Sequence, residues 1–343
     1  MSVKIMGGEF AIGTADYLKR NYLLQQKERK LFSNGRSALF AILLNIKSGP
    51  RRSLEILLPD YLCPSIIQTV MDAGIPFRFY HIGENLLPNL NELLEAVGEN
   101  GNILLINYFG ILELSLLIET IKKEKPAVNI IMDDVQNFYG FKNEQNVDFA
   151  FTSYRKWFAV PDGSQVISNH ELSYPTARNQ FAQYKLAGNL LKGFSPDINE
   201  ELFLPLLQKG EAILEQSYHC KCSDYSRTII PTLDVWQAGE IRKKNAQFLH
   251  QELDKLGIDH LYRTGSIPLF VPVFFKKNRD EIRNILFKHH IFTPIHWHAA
   301  NEQINGNNKL YQTELSLICD QRYSIDDMNY MVEILKDAYR NNQ

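Results

Sequence analysis

Residues 131–164, IMDDVQNFYGFKNEQNVDFAFTSYRKWFAVPDGS, decide how the chain is read. An apolar run ends in Asp133 and Asp134, and a second run, VDFAFTSYRKWF, reaches Lys156 and a Pro-Asp-Gly turn at 161–163. Two buried strands of one sheet would bring a carboxylate and an amine to the same edge, where ligands of open α/β sheets bind. Lys156 sits among Tyr154, Trp157 and Phe158. Desolvation there favours the neutral, nucleophilic amine. Composition alone would equally allow two ordinary strands and a surface lysine.

Outward from this stretch, strand-like and helix-like segments alternate. Apolar strands are expected at 54–58, 75–81, 101–110, 128–134 and 163–169, and helices at 64–73 and 113–125. Units of this length predict an α/β domain with a mainly parallel central sheet. Upstream, Ser33-Asn34-Gly35 reads as a turn and Arg36–Ile46 as a helix. A helix N-terminus carries free N–H groups that suit phosphate. Residues 1–30 read as an arm or short helix. Downstream, EELFLPLLQKGEAILEQSY is helical in period, and VWQAGEIRKKNAQFLHQELDKLG is a long amphipathic helix. A strand over 266–275 follows, with Pro272 marking an edge or bulge. Then come a helix at 279–290, a strand in IFTPIHW and a terminal helix capped by Ser324. The expected division is an arm and large α/β domain over 1–228, with a smaller α+β domain over 229–343.

At 343 residues, with 45% hydrophobic and 22% charged side chains, the chain has the composition of a globular protein. A net charge of -2 gives no general attraction to nucleic acid. Cys63, Cys220, Cys222 and Cys319 read as free thiols, and no metal set is expected from them or from His296 and His298. With no apolar leader and no run of membrane-spanning length, a cytoplasmic location is expected. Neither a Walker pattern nor GxGxxG occurs.

Taken in order, NGRSAL, LLPDYLCPSIIQTVMDAGIPFRFYHI, NYFG, IIMDDVQN, SYRKWFAVPDG, DYSRTI and IFTPIHW resemble the DegT/DnrJ/EryC1/StrS family of sugar aminotransferases. These are pyridoxal-phosphate enzymes of fold type I. The resemblance implies pyridoxal 5'-phosphate as cofactor and amino transfer from glutamate or a similar donor to a keto-sugar, typically nucleotide-linked. It places such a reaction in surface-polysaccharide or secondary-metabolite biosynthesis. It also implies a homodimer with shared sites.

The resemblance implies a covalent link from Lys156 to the cofactor and a proton-moving role for that amine. Asp134 would pair with the pyridine nitrogen, because its distance to Gly140 fits the family spacing better than that of Asp133. Asn137 would lie beside the ring, with Gln136 as the alternative. Gly35, Arg36, Ser37 and Ser153 would hold the phosphate. Tyr61 or Tyr108 would lie near ring or substrate, and Tyr108, Arg227 and His296 are substrate candidates. Arg322 reads as structural. Dehydratase-like members carry histidine in place of the lysine, so Lys156 argues against that class. The chain departs from the family at Pro161, Ser164, Cys63 and Ser226, which marks it as divergent. Those departures keep open a binding or regulatory protein on the same fold.

Overall fold

A computed structural model describes residues 5–12, 30–49, 54–141, 146–194, 200–216, 218–299 and 308–340. Most of the expected arm or helix over 1–30 lies outside the described residues. In chain order the elements begin with β1 (Met6–Gly7), α1 (Gly35–Ser48), β2 (Ile56–Pro59), α2 (Pro64–Asp72) and β3 (Phe77–Tyr80). They continue through α3 (Leu90–Ala96), β4 (Asn102–Ile106), α4 (Ser115–Glu124), β5 (Asn129–Asp133), β6 (Phe149–Ser153) and β7 (Ser164–Ser168). Next come α5 (Phe181–Phe194), α6 (Glu200–Gln216), α7 (Asp224–Ile229), α8 (Val235–Leu256) and β8 (Phe270–Phe274). The chain ends with α9 (Arg279–Lys288), β9 (Ile291–Phe292), α10 (Leu310–Thr313), β10 (Glu314–Ile318) and α11 (Ile325–Arg340).

The central sheet has six strands in the order β3-β2-β4-β5-β6-β7. All its pairings are parallel except β6 with β7. Strands β4, β5 and β6 are buried at every position, the signature of a parallel sheet covered on both faces. The expected mainly parallel α/β class is therefore the one found. Ile42 and Leu43 of α1, Ile67 of α2 and Ile121 of α4 belong to the same buried core as these strands.

A second core draws on Leu249 and Leu253 of α8, Val271 and Val273 of β8, Leu315 and Leu317 of β10, and Met331 and Leu335 of α11. Strands β8 and β10 pair antiparallel, with Pro272 opposite Ser316, so Pro272 does lie on an edge strand. Met6 joins this second core, and β1 pairs parallel with β9.

Several expected segments are shorter than their apolar runs. The 101–110 run stops as a strand at Ile106, because Phe109 (φ 58°) and Gly110 (φ 74°) turn the chain through left-handed conformations. Within IFTPIHW only Ile291–Phe292 is strand. Helix α5 and strand β10 were not foreseen: α5 lies in a stretch read only as polar and aromatic, and ELSLI is a short apolar run without a turn signal before it.

Candidate active site

A cavity of about 640 Å3 opens at the C-terminal ends of the parallel strands. Ile106 ends β4, Asp133 ends β5 and Ser153 ends β6, and all three line it. Cys63 after β2, and Asn34, Gly35 and Arg36 at the start of α1, complete this side. The opposite side is built by Arg242 of α8, Arg283 and Phe287 of α9, and His296 and Trp297.

Lys156 ends a single 3-10 turn, Tyr154–Lys156, directly after β6. The turn is held in place from below. Trp157 is fully buried, its Nε1–H donates to the Val135 carbonyl (2.9 Å), and its own carbonyl accepts from Gln321 Nε2 (2.6 Å). Phe138 packs against Tyr154, Trp157 and Phe158 at ring distances of 5.1–5.9 Å. Lys156, which lies between these anchored rings in sequence, lines the cavity. The side chain keeps exposed surface there, although protein lies around it. Burial, followed by the adjacent Arg155 charge, lowers its pKa and favours the neutral amine.

The carboxylate facing this amine is Asp133, not Asp134. Asp133 lines the cavity, and its Oδ1 accepts from the Val135 N–H (2.9 Å). Burial pushes it up to about 7, while the Val135 N–H and the Lys156 charge oppose that rise. Asp134 turns to the other face of the strand. It is fully buried, its Oδ1 accepts from Asn137 Nδ2 (2.8 Å), and its carbonyl accepts from Thr152 Oγ1 (2.8 Å). The expectation at Asp134 is corrected by one step, because side chains alternate faces along a strand. Asn137 moves off the site with it. Gln136 instead lines the cavity beside Val135, and its Oε1 accepts from the Phe109 N–H (2.8 Å).

Of the expected phosphate groups, Gly35, Arg36 and Ser153 line the cavity and Ser37 does not. Ser37 is fully buried, and its Oγ donates toward the Cys220 carbonyl (3.4 Å). Asn34 caps α1 through a hydrogen bond from the Ser37 N–H (3.0 Å). A Cβ on Gly35 would meet Val135 Cγ2 at 3.3 Å, so glycine keeps the helix start close to the cavity wall.

Tyr61 and Tyr108 lie behind the site and do not line it. Their rings stack at 5.5 Å, and Tyr61 also packs on Trp297 at 5.3 Å. They buttress Trp297, which does line the cavity. His296 lines the cavity. Its Nδ1 lies 2.8 Å from Ser316 Oγ, and burial, with Lys156 nearby, pushes it down to about 3, so the ring is neutral. Arg227 is corrected: it pairs with Asp224 (3.4 Å), is half exposed and lies off the cavity. Ser226 donates its hydroxyl to buried Asp162, which also accepts from Ser223 Oγ (2.6 Å) and Asn179 Nδ2 (2.6 Å). The PDGS turn is thereby tied to α7 inside the chain.

The sequence did not disclose a basic cavity wall. Arg155, Arg242, Arg283 and Arg322 all line it. Arg155 pairs with Glu211 of α6 (2.9 Å), which also meets Lys185 of α5 (2.7 Å). Burial would raise Glu211, but Arg155 and Lys185 outweigh it and hold the carboxyl at about 2. Arg322 forks onto Asp320 (2.7 and 2.9 Å) and so is both structural and cavity-lining. Arg283 makes no ion pair among the described residues, its Nε donating to the Thr293 carbonyl (3.0 Å). These arginines are scattered through sequence without a shared motif, so only packing reveals them as a group.

No family model and no curated protein matches the sequence. Solved structures do match over nearly the whole chain. PseC of Helicobacter pylori, an aminotransferase involved in the biosynthesis of pseudoaminic acid, superposes with a TM-score of 0.69 at 12% identity. That match covers 98% of this chain and 100% of that one. A DegT DnrJ EryC1 StrS aminotransferase from Brucella abortus gives 0.59 at 17% identity, covering 96% and 91%. The GDP-4-keto-6-deoxy-D-mannose-3-dehydratase of E coli, solved with hydrated PLP, gives 0.63 at 16% identity, covering 89% and 86%. The chain has the fold of these enzymes.

Proposed function

We propose that this chain is a pyridoxal-phosphate-dependent aminotransferase, a divergent relative of the DegT/DnrJ/EryC1/StrS enzymes, acting on a keto-sugar. The observation that carries the reading is the meeting of Lys156 and Asp133 on one cavity that begins at the N-terminus of α1. The donor set fits the cofactor: an amine with a lowered pKa, a buried carboxylate to pair with a ring nitrogen, and a helix start with Arg36 for a phosphate. When bound, the cofactor supplies an electron sink for the carbon that carries the amino group.

The chain's own residues do the rest. Asp133 would stay ionised against a protonated ring nitrogen, and Gln136 and Val135 would flank the ring. Asn34, Gly35, Arg36 and Ser153 would hold the phosphate. Lys156 Nζ would take the proton released at the donor's amino-bearing carbon and return it at the neighbouring centre. Arg283, without a carboxylate partner of its own, suits the donor's carboxylate. The basic wall suits an anionic, nucleotide-linked sugar. The family resemblance supports glutamate as donor, a homodimer and a place in polysaccharide or secondary-metabolite synthesis.

The test is spectroscopic and kinetic. Protein mixed with pyridoxal phosphate should turn yellow, and borohydride should fix the group on Lys156, as peptide mass would show. Lys156→Ala should lose this entirely. Asp133→Asn should slow conversion of the bound cofactor by amino donors on the order of 10²-fold, while Asp134→Asn should spare it. A protein that stays colourless and binds no cofactor would sink the proposal. Binding without conversion by any donor would favour a non-catalytic member of the fold.

A further inference from the structure

Away from the cavity, the C-terminal end of α8 carries a second constellation. His250 and Asp254 are one helical turn apart on α8, in HQELDKLGIDH (250–260), and so share a face. Gly257 ends the helix in the left-handed conformation (φ 65°), and the chain folds back to bring His260 over them. His250 Nδ1 and His260 Nε2 are 2.8 Å apart. Asp254 Oδ2 is 3.6 Å from His250 Nε2, and its Oδ1 is 3.8 Å from His260 Nε2. One ligand atom from each residue lies within 4.8 Å of the others.

We propose that His250, Asp254 and His260 form a binding site for a divalent transition cation of the zinc class. Two imidazoles and a carboxylate are the donor types such cations take, with a fourth position left for water. Tetrahedral ligands at zinc bond lengths stand about 3.3 Å apart. His250 faces His260 with Nδ1 and Asp254 with Nε2, so one of these nitrogens serves as ligand, and rotation of His250 and of exposed Asp254 closes a set that already lies within 4.8 Å.

The site is also built in its surroundings. His260 Nδ1 lies 2.8 Å from the Ile258 carbonyl. That bond fixes the proton on Nδ1 and leaves the Nε2 lone pair for the cation, the outer-sphere arrangement of metal-binding histidines. The His260 side chain is 7% exposed. Its backbone is bridged to Val273 of β8, and the Asp259 carbonyl accepts from the Phe274 N–H (2.8 Å). His250 stacks on Tyr262 at 4.6 Å. Two rings are therefore oriented by packing, while Asp254, 63% exposed, can swing to complete the set. A bound cation would clamp the end of α8 to the segment entering β8.

Calorimetric titration of the full-length, tag-free protein with zinc ion should give one site per chain. Cobalt ion should give visible bands of a nitrogen–oxygen site, without the intense near-ultraviolet absorption of thiolate ligation. Asp254→Asn, at an exposed position that leaves folding intact, should weaken zinc at least about tenfold. His250→Ala and His260→Ala should abolish binding, and His296→Ala in the cavity should leave it unchanged. Zinc should raise the Tm of the wild type and not of these two variants. No binding, thiolate absorption, or affinity unchanged by Asp254→Asn and His250→Ala would overturn the proposal.

Discussion

Asp133 and Asp134 are chemically identical neighbours with opposite placements. Asp133 faces Lys156 across the cavity, whereas Asp134 is used to close the turn after β5 through Asn137 and Thr152. The spacing to Gly140 points to Asp134, but that side chain bonds Asn137 away from the cavity. The D-x-x-Q spacing of Asp133 and Gln136 was visible in the sequence and is the one that reaches the site.

Glu314 is the second residue whose meaning comes from burial. It is 1% exposed, accepts from the His296 N–H (2.6 Å) and Ser316 Oγ (2.6 Å), and so fixes His296 at the cavity wall. Burial pushes its carboxyl up to about 8, against those hydrogen bonds and the charges of Arg279 and Arg283. The folded protein then binds a proton that the unfolded chain releases near 4.5. Wild-type stability must therefore fall as pH rises from about 4.5 to about 8 through this group. Glu314→Gln keeps the shape and has no proton to lose. Its stability relative to wild type should rise across that window and level off above it. Urea midpoints at several pH values would check this, and a pH-independent difference would refute it.

Among the elements, α1 has the clearest local signals. Asn34 is its cap, Gly35 and Arg36 open it, and its buried stripe, Leu39, Ile42, Leu43 and Ile46, follows helical spacing. Asn34 Nδ2 also donates to the Tyr218 carbonyl (3.1 Å), tying the helix start to the segment after α6. Asn34→Ala should cost about 1–2 kcal/mol, read as a lower denaturant midpoint. It should also weaken cofactor binding if this helix start holds the phosphate. Of the α5–α6 pair, α6 is legible in its helical period and α5 is not. The pair's contribution to the site is electrostatic, through Glu211 and Lys185 on Arg155, and charged pairs distant in sequence leave no periodic trace.

At the scale of the molecule, the lysine turn rests on a third buried cluster in which Tyr154, Trp157 and Phe158 pack with Leu233, Ala238 and Leu269. Arg242 of α8 is buried over the Trp157 ring at 4.7 Å, and its Nε donates to Gln321 Oε1 (2.6 Å). The same Gln321 donates to the Trp157 carbonyl. One amide therefore links α8, the segment after β10 and the turn that presents Lys156. Gln321→Leu preserves volume but strands a guanidinium N–H and a carbonyl in the interior. It should destabilise the protein by about 2–4 kcal/mol in chemical unfolding and shift the emission of Trp157. An unchanged midpoint would show that the tie is dispensable.

By itself the sequence determined the parallel α/β sheet, because fully apolar runs at strand length between helical segments have few other ways to bury themselves. It also placed Lys156 after a strand and a helix start at Arg36, one residue from the observed start at Gly35. What only the tertiary structure decided is which side chains look at one another. A single-residue step on β5 exchanges Asp134 for Asp133, four arginines far apart in sequence share one wall, and His260 returns to the face of His250 and Asp254. Local propensity fixes backbone elements within a few residues. The direction of a side chain at a strand end, and its distance to one on another element, follow from how those elements pack.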